Sequence, residues 1–262
     1  MIRRLFILTV LGLATMSCQS VPISDIAETG IHKEIIGADG APMMLVPAGE
    51  FLMGYDMGCC DDGTAGEKPV HRVYLDAFYM DKYELTTKRY AAFMESTSRA
   101  APDNWDIVNL DRDGDRPVIG IDWHDADAYC RQYRKRLPTE QEWEKAARGM
   151  DGRKYPWGNE EPTPSEASYN WEGNRDWQGY STLALVGSYE AGKSPYGIYN
   201  LAGNVWEWTS SDNGPHKVLR GGSWIDQPED LRSSFRFWMP IMRRLYNLNI
   251  YSGFRCAQDA PK

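Results

Sequence analysis

The sequence predicts an α+β domain poor in regular secondary structure. Three observations point there. Helix signals are confined to one stretch between Thr86 and Arg148. From Gly149 onward the chain runs through Gly, Asn, Trp and Ser with only short strand candidates. The 24 Gly, 15 Pro, 10 Trp and 15 Tyr favour turns and large aromatic packing units over a helical bundle. With 42% hydrophobic and 25% charged residues, the chain can bury a core and is not disordered.

The elements follow in order. Leu45 to Gly54 reads as a strand, a turn at Pro47-Ala48-Gly49, and a short strand. Arg72 to Met80 alternates as one further strand. Thr86 or Thr87 caps a helix whose apolar positions Tyr90, Phe93 and Met94 recur at helical spacing. A second helix is expected from Asp125 to about Lys135, with Ala126, Tyr129, Cys130 and Tyr133 on one face. Pro138 precedes Thr139-Glu140-Gln141-Glu142, a capping box that starts a third helix through Arg148. Asp111 to Asp115 resembles a calcium loop in isolation, but lacks the downstream Glu of an EF-hand and reads as a solvated acidic turn. There is no repeat at fixed period and no interdomain linker. Loops this long need anchors other than ladders: aromatic side chains, disulfides or metal ions.

The first eighteen residues read as a signal peptide. Arg3 and Arg4 form a positive n-region before the apolar run Leu5 to Met16, which is too short to span a bilayer. Leu13 to Cys18 resembles a lipobox, although Thr15 stands where an apolar residue is usual, so lipidation of Cys18 competes with simple cleavage and release. Residues 19–42 read as a tether and 43–259 as a single domain. The expected location is the periplasm or the outer membrane of a bacterium, with a lipid anchor as the sole membrane contact.

A formal charge of −8 offers no basic excess to neutralise a phosphate backbone, so nucleic acid is not an expected partner. The histidines, His32, His71, His124 and His216, are scattered, and no Cys/His cluster has zinc spacing. Export permits disulfides. The adjacent Cys59 and Cys60 read as structural, with a redox pair, a soft-metal site or a vicinal disulfide as alternatives.

An ordered series of motifs carries a family resemblance. It runs through Gly49-Glu50-Phe51-Leu52-Met53-Gly54, the Asp122-Trp123-His124-Asp125-Ala126 segment, Arg136-Leu137-Pro138-Thr139-Glu140-Gln141-Glu142-Trp143-Glu144 and Tyr155-Pro156-Trp157-Gly158-Asn159. It continues through Asn200-Leu201-Ala202-Gly203-Asn204-Val205-Trp206-Glu207-Trp208, Arg220-Gly221-Gly222-Ser223-Trp224 and Gly253-Phe254-Arg255-Cys256. The series resembles the formylglycine-generating enzyme (sulfatase-modifying factor) family. The resemblance implies an irregular C-type-lectin-like α+β fold.

It also implies a set of sites. Structural calcium would be held by the side chains of Asn200 and Glu207 and the carbonyls of Gly203 and Val205; the competing reading pairs Glu207 with an arginine and leaves Trp206 and Trp208 as core. A looser second calcium site would use Asn170, the carbonyl of Trp171 and Asp176. Cys130 would pair with Cys256. In cysteine-oxidising members two cysteines after the Gly-Gly-Ser motif hold copper; here Asp226 and Leu231 stand at those positions. A carboxylate is hard and leucine has no donor, so no copper is expected.

The remaining matched positions make Asp226, Ser223 and Trp206 the candidate catalytic residues, with Glu229 the alternative general base. Arg220, Trp224 and Arg232 are the candidate substrate-binding residues, Arg255 is structural, and Phe235, Phe237, Trp238 and Tyr251 are candidate aromatic walls. Two functions follow. One is oxidative maturation of a peptide or peptide-derived substrate without the copper–cysteine centre. The alternative is a non-catalytic binding or regulatory module that meets an envelope protein of a secretion or motility system.

Overall fold

The computed structural model describes residues 33–55, 67, 69–173, 177–240 and 251–261. Cys18, Cys59, Cys60 and Asp176, and with them the expected signal peptide and lipidation site, lie outside the described residues.

Among the described residues, ten strands and four α-helices order the chain: β1 (Glu34–Ile36), β2 (Pro42–Val46), β3 (Gly49–Met53), β4 (His71–Leu75), β5 (Phe78–Asp81), α1 (Thr87–Thr97), α2 (Leu110–Asp113), α3 (Trp123–Gln132), α4 (Glu140–Arg148), β6 (Trp206–Asn213), β7 (His216–Arg220), β8 (Phe237–Pro240), β9 (Ser252–Gly253) and β10 (Ala257–Asp259). They form three small sheets, of order β1-β2-β5-β10, β3-β4 and β8-β7-β6-β9.

Local signals place the helices. Thr86 caps α1, accepting from the Arg89 amide at 3.3 Å. Asp122 caps α3, accepting from the Asp125 amide at 2.8 Å, so that helix starts two residues before the expected Asp125. The Thr139/Glu142 capping box closes in both directions, at 3.1 and 2.8 Å.

Three expectations change. Arg72 to Met80 is not one strand: β4 and β5 part at Asp76-Ala77 and enter different sheets, because β4 pairs with β3 and β5 with β2. The domain starts before residue 43. Glu34–Ile36 pairs antiparallel with Pro42–Met44 across a tight turn, and Asp39 in that turn is locked at 2.6 Å to Lys135. The 111–115 segment is solvated only in part: Asp111, Arg112 and Asp115 are exposed, but it is helical through Asp113 rather than a plain turn. Asn109 caps a single helical turn, and Asp113 is fully buried against Arg112, with Nη2–Oδ2 at 2.6 Å.

The largest apolar cluster gathers Tyr90, Phe93, Val118, Tyr129, Leu137 and Phe254 around the Cys130–Cys256 disulfide. That bridge joins α3 to the segment between β9 and β10. A second cluster packs Trp143, Ala146 and Ala147 of α4 against β2 and β5. The polar face of α4 is buried as well, and its acids are matched by arginines: Glu144 to Arg220 at 2.6 Å and Arg148 at 2.8 Å, and Glu140 to Arg236 at 2.6 Å. Buried carboxylates need such partners, since an unpaired ion in the interior is costly.

Candidate functional site

The β8-β7-β6-β9 sheet builds a cavity of about 410 Å³, within the size range of small-ligand clefts. Its floor is strand-borne. Trp206 stands at the start of β6, beside Ser252 of the parallel β9. Phe237 and Met239, two residues apart on β8, project from one side of that strand, and the strand period sends Trp238 to the opposite, 42% exposed side. Trp206 lies 5.4 Å from Phe237 and 6.0 Å from Phe235, ring centre to ring centre, forming one continuous aromatic wall.

The loop after β7 supplies the polar edge. Gly222 has φ 74°, and a Cβ there would come within 2.6 Å of Leu231 Cδ2, so the Gly-Gly pair lets the chain reverse tightly before Ser223. Ser223 donates both its amide, at 2.8 Å, and its hydroxyl to Asp226 Oδ2. The Trp206 side chain also hydrogen-bonds the carboxylate. Burial holds the Asp226 carboxyl above the usual carboxylate range; the Ser223 hydroxyl works against that shift and neighbouring Asp230 adds to it. Asp226 is further fixed through its carbonyl, which accepts from the Asn170 amide at 3.0 Å.

Asp230 is a site residue the motif reading passed over. Pro228–Leu231 forms a single 3₁₀ turn capped by Gln227, and this turn brings Asp230 back to the same cavity as Asp226. The signal was present in the Gln-Pro-x-Asp order. Burial raises the Asp230 carboxyl as well. Glu229 points away: it is exposed and does not line the cavity.

The structure thus brings Trp206, Ser223 and Asp226 together and adds Asp230, Phe235, Phe237 and Tyr251. It does not bring Arg220, Arg232 or Trp224 with them. Arg220 is fully buried on Glu144, and Arg232 pairs with Glu67 at 2.9 Å. Both guanidiniums are consumed by buried carboxylates, so neither reaches the cavity. Trp224 is fully buried in a cluster with Ile119 and Val205, its ring 5.6 Å from Tyr251 behind the wall. Leu231 is core, packed with Tyr155 and Tyr169. Among the described residues, no three His, Cys, Asp or Glu side chains converge as a metal-binding group.

The 200–207 loop forms a second polar centre, behind the aromatic wall. Asn200 and Gly203 both take left-handed backbone, φ 53° and 77°, and a Cβ on Gly203 would lie 2.3 Å from the Ser168 carbonyl. Glu207 meets Arg255 twice, Oε1 to Nη2 at 2.6 Å and Oε2 to Nε at 2.7 Å, and its Oε2 also accepts from Trp143 Nε1 at 2.8 Å. Asn200 donates its amide to Glu84 at 2.8 Å, leaving its buried Oδ1 without a hydrogen-bond partner. Burial, with Glu207 close by, pushes Glu84 up to about 8. In the looser site, Asn170 is buried and its carbonyl accepts from the Gly173 amide at 3.2 Å, while Trp171 is 57% exposed.

Residues 34–260 match the sulfatase-modifying factor enzyme 1-like domain. The chain belongs to that family. The formylglycine-generating enzyme of Streptomyces coelicolor is 33% identical, over 82% of this chain and 88% of that protein. The inactive C-alpha-formylglycine-generating enzyme 2 of Mus musculus is 32% identical, over 86% and 88%. The hercynine oxygenase of Mycolicibacterium smegmatis is 30% identical over 82% of this chain but 61% of its own length. Among solved structures, PvdO from Pseudomonas aeruginosa superposes with a TM-score of 0.68 at 22% identity, covering 85% of this chain and 95% of PvdO. The fold is the family's irregular C-type-lectin-like α+β fold, as the motifs implied. Family membership leaves the chemistry open, because of two relatives of near-equal identity one is named a formylglycine-generating enzyme and the other an inactive one.

Proposed function

We propose that this chain is an exported member of the family that oxidises a peptide or peptide-derived substrate in the Trp206–Asp226 cavity, without a copper–cysteine centre. The observation that carries the reading is Asp226 itself: an ionisable carboxylate, held in place by Ser223 and Trp206, at the edge of an aromatic cavity. It stands where the family resemblance sets a metal-binding cysteine. The chemistry that suits a carboxylate there is proton removal from an electron-rich, catechol-like ring. The ring passes two electrons to dioxygen and releases two protons. Asp226 takes one proton from a ring hydroxyl and hands it on, and the products are a quinone and hydrogen peroxide.

Oxygen uptake by the purified protein with catechol-like and peptide substrates tests this. Asp226→Asn is expected to lower the rate at least about 100-fold. Because the base must be ionised, the wild-type rate falls as pH drops through a pKa above the ordinary 3.8 of an aspartate. Absence of uptake with every substrate, or an undiminished Asn variant, defeats the reading. One finding favours the second reading, a non-catalytic binding or regulatory module of the envelope: the mouse relative, as similar as the bacterial enzyme, is named inactive. Location in the periplasm or on a Cys18 lipid anchor belongs to either reading and rests on the Arg3-Arg4 and Leu5 to Met16 pattern. Among the described residues no helix is long and apolar enough to cross a membrane.

Calcium is proposed as a structural ion at the 200–207 loop. The residues fit it: Asn200 Oδ1 is a buried acceptor with no donor, and Glu207 Oε1 keeps a lone pair beyond its bond to Arg255. The carbonyls of Gly203 and Val205 would complete the protein's share, with water supplying the rest of the six to eight oxygens this cation takes. A bound cation would also offset the two neighbouring carboxylates, Glu84 and Glu207, which face the single guanidinium of Arg255. EDTA is expected to lower the melting temperature and added calcium to restore it, by the equivalent of about 2.7 kcal/mol at a hundredfold excess over Kd. Asn200→Ala should abolish that response. A melting temperature indifferent to both reagents removes calcium from the account.

A further inference from the structure

The proposed site also carries information about what it accepts, and we infer, resting on that reading, that its cavity receives an organic cation: an alkylammonium group on the substrate. Two carboxylates, Asp226 and Asp230, share a space whose other described lining is mostly apolar, with the rings of Trp206, Phe235, Phe237 and Tyr251 prominent in it. Among the described residues, no cationic side chain lines it. Asp226 spends Oδ2 on Ser223, whereas Asp230 accepts from the Gln227 amide alone, at 3.3 Å. Neither forms an ion pair among the described residues, and Arg232, whose charge reaches Asp230, is itself committed to Glu67.

Two acids in a half-buried apolar cavity are unstable as a doubly charged pair. A proton relieves this in the empty protein, and a ligand cation relieves it in the complex. The rings add a second attraction, because the faces of Trp, Tyr and Phe carry negative quadrupole density that favours ammonium groups. Trp206 and Phe237, with centroids 5.4 Å apart, present two such rings along one wall. Anions are repelled by the acids, and a neutral alkyl group leaves them unpaired. The volume, about 410 Å³, has room for a ring that bears a short alkylammonium arm. Asp230 is the counter-charge and Asp226 remains free to act on the ring undergoing oxidation.

The test is binding without turnover. Wild-type protein is titrated anaerobically with N-acetyl-lysine methylamide, its trimethylammonium analogue and the neutral N-acetyl-norleucine methylamide, and read by calorimetry and by tryptophan fluorescence. Both cations are expected to bind at least about tenfold more tightly than the neutral probe. Asp230→Asn, which keeps an acceptor for Gln227, should weaken the cations about tenfold and leave the neutral probe unchanged. Phe237→Leu, on a partly exposed edge strand, should weaken the trimethylammonium probe most. Equal binding of charged and neutral probes, no saturable binding of either cation, or an Asp230→Asn variant that keeps full cation affinity overturns the inference. The outcomes separate from the oxidation proposal. Cation selectivity without oxygen uptake leaves this inference standing and removes the oxidation. Oxygen uptake without cation preference does the reverse.

Discussion

Replacing Cys130 and Cys256 together with alanine is expected to lower the unfolding free energy by roughly 4–5 kcal/mol. The two cysteines lie 126 positions apart, so the bridge closes a loop that contains α4 and the whole β8-β7-β6-β9 sheet. In the chain-entropy view, a cross-link over that distance removes a large part of the unfolded chain's freedom. Its surroundings make the native side favourable too: Tyr129, Leu137 and Phe254 pack around it, and the Cys256 amide donates to Asp81 Oδ2 at 2.9 Å. Urea unfolding of the oxidised wild type, the reduced wild type and the double alanine variant checks this. The last two should nearly coincide, and all three should retain the same fold by circular dichroism. Coincidence of all three midpoints would contradict the expected role.

The second large effect concerns Arg255. Its guanidinium is fully buried and donates to Glu207, to the Asp81 carbonyl at 3.2 Å and to the Tyr199 carbonyl at 2.8 Å. One side chain therefore ties the end of β5, the start of the 200–207 loop and β6 together. In calcium-free protein Arg255→Met leaves the Glu207 carboxylate buried without a counter-ion, and is expected to cost about 3–5 kcal/mol. Adding Glu207→Gln removes the stranded charge and should recover about half of that loss, since Trp143 Nε1 still finds an acceptor at position 207. The coupling is read as the non-additivity of a double-mutant cycle in urea. Additive losses would mean that the pair contributes through packing alone.

Three of the four helices were legible because their signals are local. Thr86 and Thr139 each satisfy an amide three residues away, so the cap is written in the chain next to the helix it starts; the Asp122 cap is equally local, yet the expected start of that helix is Asp125. The β4–β5 break was not legible in the same way. Alternation continues through Asp76-Ala77, and nothing within the segment says that its two halves pair with different partners. Asp39 shows the same limit at the domain's start: a polar turn residue becomes a buried ion-pair member because Lys135, distant in sequence, arrives beside it.

The cavity divides along that line. Trp206, Ser223 and Asp226 are close to recognisable motifs, and Phe237 and Met239 share a face through the strand period. Arginines were harder. Arg220 and Arg232 flank the same motifs and carry the charge a substrate would want, yet Glu144 and Glu67 claim them inside the protein. Trp224 and Trp206 are chemically alike in sequence, and one is core while the other is wall.

By itself, the sequence determined the family, the starts of α1 and α4, the pairing of Cys130 with Cys256 through that family's motifs, and the loop that carries Asp226. The tertiary structure alone decided which arginines are spent on buried acids, which aromatic rings face the cavity, and that Asp230 joins Asp226 there. The physical reason is range. Caps and turns are settled by hydrogen bonds within a few residues, whereas the burial of a charge or a ring depends on groups that only the completed fold brings alongside.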